Sequence, residues 1–349
     1  MKLKKTGYVN ILEKRHKLAH KFNITNTKLR KADKKDSKIV QEILNFCSHF
    51  KTNYQSFGGE WEYLNNMKRR KYINAISNHD FEKLISFFSN LFRKDASYGI
   101  VTPSFSDIKN ISKFKSQILQ DIDASIEFSK LKNSKQLEVS KDIGNPFGIK
   151  IKDNIIMPDT PRHFYFANKI RKYSKFFKTF KFLEIGGGYG GLARILHSLN
   201  KKITYFSIDL LEGCLIQYYF LKKCGFKVNL IKSKKDIRQN QINLIIFDKN
   251  LDMLRNIGKC NFVFNSRSFS EMSEETLNKY LSFINNKIKP EYIYHENSNF
   301  LLFPKSKRHI EILGDEFKID KKKYNLEYIN ISPFSGGSGR YREFFYKKI

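Results

Sequence analysis

The chain has 349 residues and a formal net charge of +31, from 65 lysine and arginine residues against 34 acidic ones. Forty per cent of the residues are hydrophobic, which is typical of a folded protein and excludes a mainly disordered chain. Every apolar run is shorter than the roughly 18–20 residues of a membrane-spanning helix, and the basic N-terminus does not have the pattern of a secretory signal. The four cysteines show no C-x-x-C spacing, so we expect a reducing, cytoplasmic location.

The charge itself has two interpretations. It can indicate a polyanionic partner, such as nucleic acid, an anionic lipid surface or a phosphate-bearing substrate. It can also reflect a lysine-rich composition whose side chains are spread over solvated surfaces. The lysines are distributed along the whole chain without an arginine-rich block. This distribution favours the second interpretation and argues against a nucleic-acid partner.

The N-terminal part of the sequence divides into three segments. Residues 1–35 are predicted to be a basic, loosely ordered segment, in which His16 and His20 are interpreted as surface residues because no acid or cysteine stands at ligand spacing. Residues 36–140 show apolar stripes at helical spacing, one of which contains Trp61, and these stripes are interpreted as core. The segment is predicted to form a helical subdomain, a candidate substrate lid. Residues 141–160 contain two glycines and two prolines and are predicted to be a linker to the main domain, 161–349.

The most informative stretch follows at 181–192, KFLEIGGGYGGL. A short apolar run leads into a glycine cluster in which Glu184, Gly186, Gly188 and Gly190 are spaced as E-x-G-x-G-x-G. The pattern predicts a parallel strand, a tight turn and a helix, because glycine permits positive φ and leaves no Cβ between the backbone and a ligand. Free N–H groups at the start of the helix would face that ligand.

Two classes of ligand use such a turn. A dinucleotide usually accompanies the spacing G-x-G-x-x-G, whereas the glycines here run G-G-G-x-G-G. S-adenosylmethionine carries an ammonium group in place of a pyrophosphate, and Glu184 at the strand end would suit that cation. The next predicted strand, 203–208, ends at Asp209. Proteins that bind either ligand have a carboxylate at this position that binds the ribose. An NAD-dependent enzyme or a non-catalytic nucleotide-binding protein therefore remains an alternative.

Three segments, EIGGGYGGLARIL, SIDLLEGCLIQYYFL and NSRSFSEM, resemble the sugar O-methyltransferases found in bacterial surface-polysaccharide gene clusters. The resemblance covers roughly residues 55–300, and it departs from the family pattern at Leu211, where proline is expected. It implies a Rossmann-like class I methyltransferase sheet that binds S-adenosylmethionine through the glycine turn and Asp209. It also implies methyl transfer to a sugar hydroxyl in the synthesis of lipopolysaccharide, capsule or O-antigen.

Two short apolar runs, 227–231 and 242–247, compete for the third strand of the core. Asp236 and Asp248 follow them, and we favour Asp248 as the acid on the adenine side of the cofactor. The fourth strand then leads into Asn265, which begins the N-x-x-S-x-x-E-M loop and is predicted to contact the cofactor. The carboxyl end of that strand lies at the edge where doubly wound sheets bind ligands.

A sugar hydroxyl is a weak nucleophile, so methyl transfer to it needs a general base. We predict Glu271 in the loop and His295 at the end of the fifth strand as candidates. His163, near the start of the helix before the glycine strand, is the third. A divalent metal on Glu271 and Glu296 is an option that no ligand spacing requires, and no metal site is predicted.

The sequence thus predicts an α/β S-adenosylmethionine-dependent O-methyltransferase with an N-terminal helical subdomain. Its acceptor would be a small molecule or glycan, either free or linked to a nucleotide or lipid. A nucleic-acid methyltransferase is the alternative that the net charge suggests. Against it, the sequence shows neither a recognisable RNA-binding module nor the aromatic-and-proline tetrapeptide of N-methylating enzymes.

Overall fold

The computed structural model describes residues 22–23, 28–48, 59–101, 111–129, 134–247, 257–299, 311–334 and 339–349. Most of the predicted N-terminal segment 1–35, with His16 and His20, lies outside these residues. The described strands are β1 (Phe22–Asn23), β2 (Glu138–Ser140), β3 (Gly148–Ile151), β4 (Asn154–Ile156), β5 (Phe180–Ile185), β6 (Ile203–Asp209), β7 (Val228–Ile231), β8 (Ile242–Ile246), β9 (Phe262–Ser266), β10 (Tyr292–Ser298), β11 (Tyr324–Ile331) and β12 (Tyr341–Lys348).

Eight of these strands form a central sheet in the order β11-β12-β10-β9-β5-β6-β8-β7. The six strands from β10 to β7 run parallel, and β12 and β11 are added antiparallel at one edge. The parallel strands are almost continuous apolar runs, because helices cover both faces of such a sheet. Of the two runs that compete for the third strand, 242–247 forms β8 beside β6, and 227–231 forms the edge strand β7.

The strand order reverses between β5 and β9. From β5 the chain moves through β6 towards the β8–β7 edge, and it then returns to the other side of β5 as β9. Doubly wound sheets bind their ligands at the carboxyl ends of the strands at such a reversal. The predicted fold class, a Rossmann-like sheet of the class I methyltransferase type, is confirmed by this order.

The described helices are α1 (Lys34–Cys47), α2 (Gly59–Met67), α3 (Arg70–Ser77), α4 (Phe81–Ser89), α5 (Ile111–Ser129), α6 (Thr160–Ser174), α7 (Gly191–Leu199), α8 (Leu211–Lys223) and α9 (Glu274–Phe283). Asp80 caps α4 by accepting a hydrogen bond from the N–H of Lys83, and Ser273 caps α9 through the N–H of Thr276. The first helix is attached to the main domain, since the Tyr219 hydroxyl of α8 donates to the buried Asp36 carboxylate at 2.7 Å. No helix among the described residues is long and apolar enough to cross a membrane.

The prediction of a linker at 141–160 is wrong, because this segment contributes two strands to a second sheet. Strands β3 and β4 form an antiparallel hairpin within a four-stranded sheet of order β1-β3-β4-β2. Arg194 of α7 donates hydrogen bonds to the backbone oxygens of Leu137 and Glu138, which fixes this sheet against the main domain. The glycines and prolines of the segment therefore mark turns in a folded unit.

The C-terminal strands complete the edge of the central sheet. The last strand, β12, pairs antiparallel with both β10 and β11. Strand β11 is absent from the sequence-based prediction, although Tyr324, Leu326 and Tyr328 alternate with polar residues. Most of the glycine-rich stretch 334–340 lies outside the described residues.

Candidate active site

The glycine turn begins where β5 leaves the sheet. Gly186 has a φ of +76°, and a Cβ at this position would lie 2.2 Å from the Ser268 hydroxyl oxygen, so a larger residue does not fit. Gly188 and Gly190 also have positive φ, and Gly190 is the N-cap of α7. The turn therefore presents backbone to the space above it.

That space is a cleft at the carboxyl ends of β5, β6 and β9. Its lining combines the glycine turn with Trp61, Arg69 and Ile100 from the N-terminal helical region. The N-terminal helices therefore take part in the cleft itself. The aromatic side chains of Phe247 and Phe264 also line it.

Glu184 is a buried acid in the cleft beside the glycine turn. Its carboxylate accepts a hydrogen bond from the Tyr205 hydroxyl at 2.5 Å, and only 4% of the residue is exposed. Burial raises the pKa of Glu184 to about 8, against the effect of the Tyr205 hydrogen bond, which favours the ionised form. A cation that enters the cleft would favour ionisation of this carboxyl group.

Asp209 ends β6 and lines the same cleft. Its carboxylate accepts hydrogen bonds from the N–H of Leu210 at 2.8 Å and from the Gln217 amide at 2.9 Å. Burial raises the pKa of Asp209 to about 7, although the Leu210 N–H opposes the shift. A second acid, the buried Glu212, lines the cleft and accepts a hydrogen bond from Asn65.

Asn265 has a different position from the one that the sequence predicts. It is 1% exposed, and its amide donates to the backbone oxygen of Ile185 at 2.8 Å and to the Ser268 hydroxyl at 2.5 Å. Its amide oxygen accepts from Asn297 and from the N–H of Phe269. The prediction of a cofactor contact is corrected: Asn265 fixes the end of β5 to the loop after β9, below the cleft.

Glu271 lies on a single helical turn, Phe269–Glu271, in the loop after β9. Its side chain lines the cleft together with Ser268 and Thr276. One carboxylate oxygen accepts a hydrogen bond from the indole N–H of Trp61 at 3.0 Å. Trp61, which the sequence predicts as a core residue of α2, thus orients the carboxylate of Glu271.

His163 also lines the cleft. Its Nδ1 atom is 3.4 Å from the Tyr189 hydroxyl. Burial lowers the pKa of His163 well below its ordinary value, and the positive charges of Arg162 and Arg194 add to this effect. The imidazole is therefore neutral at pH 7 and is a weaker base than an ordinary histidine.

The carboxylate of Glu296, the other proposed metal ligand, is paired with two arginine side chains of the protein. Its carboxylate lies 3.2 Å from Arg162 and 3.5 Å from Arg267, and it accepts hydrogen bonds from Ser266 and Ser332. Burial alone would raise the pKa of Glu296, but the two arginines and the hydroxyls lower it below its ordinary value. Among the described residues, no three His, Cys, Asp or Glu side chains are grouped as a metal site would require.

Arg267 lines the cleft, and its backbone conformation is strained. It has a φ of +70°, a conformation that is uncommon for a residue other than glycine. Its guanidinium lies 4.1 Å from the centre of the Tyr341 ring and donates to the backbone oxygen of Phe334 at 3.1 Å. Strand β12 therefore contributes Tyr341 to the cleft lining beside Arg267.

His295 is excluded from the cleft. Neighbouring residues of a strand point to opposite faces of a sheet. Because Glu296 faces Arg162, His295 points to the other face, where its ring centre lies 4.6 Å from that of Phe344 and 4.9 Å from that of Phe317. The prediction of His295 as a general base is corrected, and its position in the core makes it a structural residue.

The buried imidazole should make the protein less stable in acid. Burial lowers the pKa of His295 to about 3. The imidazole therefore binds a proton below about pH 6.5 in the unfolded chain, but only below about pH 3 in the folded chain. The contribution of His295 to the free energy of unfolding should therefore fall as the pH is lowered from 7 to 5, whereas the buried acid Glu184 contributes in the opposite direction. Over this interval the change in the free energy of unfolding should differ between His295→Asn and the wild type by about 2 kcal/mol, with the variant losing less stability on acidification. Urea unfolding at the two pH values measures it, with the exposed His79→Asn as control, and an unchanged pH dependence in His295→Asn would contradict this account.

Of the two acids proposed for the adenine side, Asp248 lies outside the described residues and stays a prediction. Asp236 accepts hydrogen bonds from the N–H groups of Lys232 and Ser233 and caps its own short turn, away from the cleft lining. Phe247 at the end of β8 does line the cleft. The β8 edge therefore borders the site.

The lining residues that the sequence analysis does not name as site residues include Arg69, Glu212, Arg267 and Tyr341. Glu212 is detectable, because it follows Asp209 by three residues and begins a helix at the same sheet edge. Arg267 stands inside the NSRSFSEM segment and is detectable for the same reason. Arg69 and Tyr341 come from distant parts of the chain, and local sequence carries no signal for them.

No protein-family model and no curated protein matches this sequence. Solved structures with a similar fold include the small RNA methyltransferase HEN1, at 14% identity and a TM-score of 0.38, with 54% of this chain and 25% of that chain covered. Another is the glycopeptide N-methyltransferase MtfA complexed with S-adenosyl-L-methionine, at 11% identity and a TM-score of 0.36, with 52% and 93% covered. A third is TrmK of M. capricolum in complex with S-adenosyl-homocysteine, at 14% identity and a TM-score of 0.34, with 52% and 67% covered. The chain spans only a quarter of HEN1, and these likenesses concern the fold alone.

Proposed function

We propose that this protein is an S-adenosylmethionine-dependent O-methyltransferase that methylates a sugar hydroxyl in surface-glycan synthesis. The observation that supports it best is one cleft that joins the glycine turn, the buried carboxyl group of Glu184, and Asp209 at the end of the next strand. The NSRSFSEM segment forms another side of this cleft. The choice of a sugar acceptor rests on the sequence resemblance.

The residues present fit S-adenosylmethionine better than a dinucleotide. Glu184 would bind the ammonium group, and Asp209 would accept hydrogen bonds from the ribose hydroxyls. A dinucleotide would instead place its pyrophosphate at the turn, where it would disfavour ionisation of Glu184 and Asp209 and gain no attraction from them. When bound, S-adenosylmethionine would supply an electrophilic methyl group for transfer to an acceptor oxygen.

The protein's own contribution is positioning and proton removal. Methyl transfer needs the acceptor oxygen in line with the methyl carbon and the sulfur, so a fixed geometry supplies much of the rate. Glu271, held by Trp61, is our candidate to accept the hydroxyl proton, and His163 is the second. The aromatic lining, including Tyr280 and Tyr341, would exclude water from the reaction.

Transfer of a labelled methyl group tests the acceptor class. Purified protein is incubated with S-[methyl-¹⁴C]adenosylmethionine and, separately, with free sugars, nucleotide-linked sugars, lipid-linked glycans and small RNAs. We expect label in a sugar-containing product that is stable to nuclease. Label only in RNA would contradict the sugar acceptor and favour the nucleic-acid alternative that the net charge suggests.

A further inference from the structure

Arg69 is a buried cation that the proposed reaction leaves without a role. The residue is 1% exposed and lines the cleft at the junction of α2 and α3. Its guanidinium lies over the rings of Trp61, at 5.4 Å, and Tyr72, at 5.6 Å. Two of its nitrogens are satisfied: Nε donates to the backbone oxygen of Ala96 at 3.1 Å and Nη1 donates to Asn65 at 3.0 Å.

The third nitrogen of Arg69 is unsatisfied. Its Nη2 atom is buried and has no hydrogen-bond partner among the described residues. Buried N–H donors are almost always paired, because leaving one unpaired after desolvation is costly. An unpaired guanidinium nitrogen in a residue that lines a cleft indicates that a ligand oxygen completes its hydrogen bonds.

The neighbours of Arg69 indicate which oxygen this is. The positive charge of Arg69 acts on Asp209 and partly offsets the rise in the pKa of that carboxyl group. Asn65 connects Arg69 to Glu212, since its amide oxygen accepts from the guanidinium and its amide nitrogen donates to the Glu212 carboxylate. This end of the cleft therefore offers two carboxylates that accept hydrogen bonds and one guanidinium that donates them.

A ribose cis-diol is complementary to such a set, because each hydroxyl can donate to a carboxylate and accept from a guanidinium. A phosphate at the same position would meet the charges of both Asp209 and Glu212. We propose that Arg69 binds the ribose cis-diol of the cofactor by donating from Nη2 to a hydroxyl oxygen, and that this end of the cleft selects an unphosphorylated ribose. The inference rests on the proposed function, and it makes the N-terminal helices part of the cofactor site.

Calorimetric titration with S-adenosylhomocysteine and its 2′-deoxy and 3′-deoxy analogues tests this. In Arg69→Gln the affinity for S-adenosylhomocysteine should fall about 10-fold, whereas the exposed neighbour Arg70→Gln should leave it within about 2-fold. For the analogue that lacks the contacted hydroxyl, Arg69→Gln should cost little further affinity. Such non-additivity separates a direct contact from a general structural effect.

Equal losses for all three ligands in Arg69→Gln, or an unchanged affinity for S-adenosylhomocysteine, would overturn the inference. Arg69→Lys keeps the charge and replaces the glutamine variant if that variant unfolds. Its loss of affinity relative to the wild type should likewise vanish with the deoxy analogue that lacks the contacted hydroxyl. If the wild-type protein binds no S-adenosylhomocysteine, the proposed function fails and takes this inference with it. If it binds while the Arg69 pattern is absent, the inference alone fails.

Discussion

Replacing Glu184 by glutamine is expected to weaken the binding of S-adenosylhomocysteine by about 10- to 100-fold at pH 8, because glutamine keeps the shape but loses the charge that pairs with the ammonium group. The free protein holds a proton on Glu184 up to about pH 8, and ammonium binding must release it. The affinity of the wild type should therefore rise by up to about 10-fold per pH unit between pH 6 and pH 8. Glu184→Gln should lose most of this rise, and the remainder would come from Asp209.

Calorimetry over that pH range measures both effects. The control ligand is 5′-methylthioadenosine, which lacks the amino acid part and should be bound almost equally by the wild type and Glu184→Gln. The control variant is Glu275→Gln, an exposed acid of α9. A second readout is the stability of the free protein. Since the folded pKa of about 8 exceeds the ordinary value of 4.5, the contribution of Glu184 to the free energy of unfolding should fall as the pH rises between these values. The free energy of unfolding of the wild type should therefore fall relative to that of Glu184→Gln over this range. Identical losses of affinity for S-adenosylhomocysteine and 5′-methylthioadenosine in Glu184→Gln would contradict an ammonium contact.

Replacing Glu271 by glutamine is expected to lower turnover by about 10²- to 10⁴-fold, the range that a general base contributes. Glutamine can still accept the hydrogen bond from Trp61, so the loop should keep its conformation. Binding of S-adenosylhomocysteine should change by less than about 3-fold, because the acid is needed for proton transfer and not for cofactor affinity. The initial rate with the best sugar acceptor, together with calorimetry, measures the two quantities.

Glu275→Gln is the matched control here as well, since it lies four residues further along on an exposed surface and should retain full turnover. A Glu271→Gln variant that keeps more than a third of the wild-type rate would remove Glu271 from the mechanism. A large loss in His163→Gln alone would then transfer the role to the imidazole.

The fold and the cofactor side of the cleft could be predicted because their signals are local. The residues from Glu184 to Gly190 occupy one strand end and one turn, and Asp209 is fixed by the same rule one strand later. The positions of His295 and Asn265 depend on which face of the sheet each side chain takes. That choice is set by packing against Phe344 in one case and by hydrogen bonds to Ile185 in the other.

The other wall of the cleft depends on contacts that are distant in sequence. Trp61 meets Glu271 across 210 positions of the chain. Apolar periodicity correctly places Trp61 on a helix, but the same periodicity interprets it as core, because it does not distinguish a buried stripe from a cleft wall. The prediction of a linker at 141–160 is wrong for a related reason, since glycine and proline mark turns within a sheet as well as linkers.

The central claim, that the glycine turn and Asp209 form a site for S-adenosylmethionine, is tested most directly by calorimetric titration with S-adenosylhomocysteine and, in parallel, with NADH. Both ligands are titrated into the wild type and Asp209→Ala. We expect micromolar binding of S-adenosylhomocysteine by the wild type, loss of that binding in Asp209→Ala, and no binding of NADH. Binding of NADH in place of S-adenosylhomocysteine, or of neither ligand, would contradict the methyltransferase account.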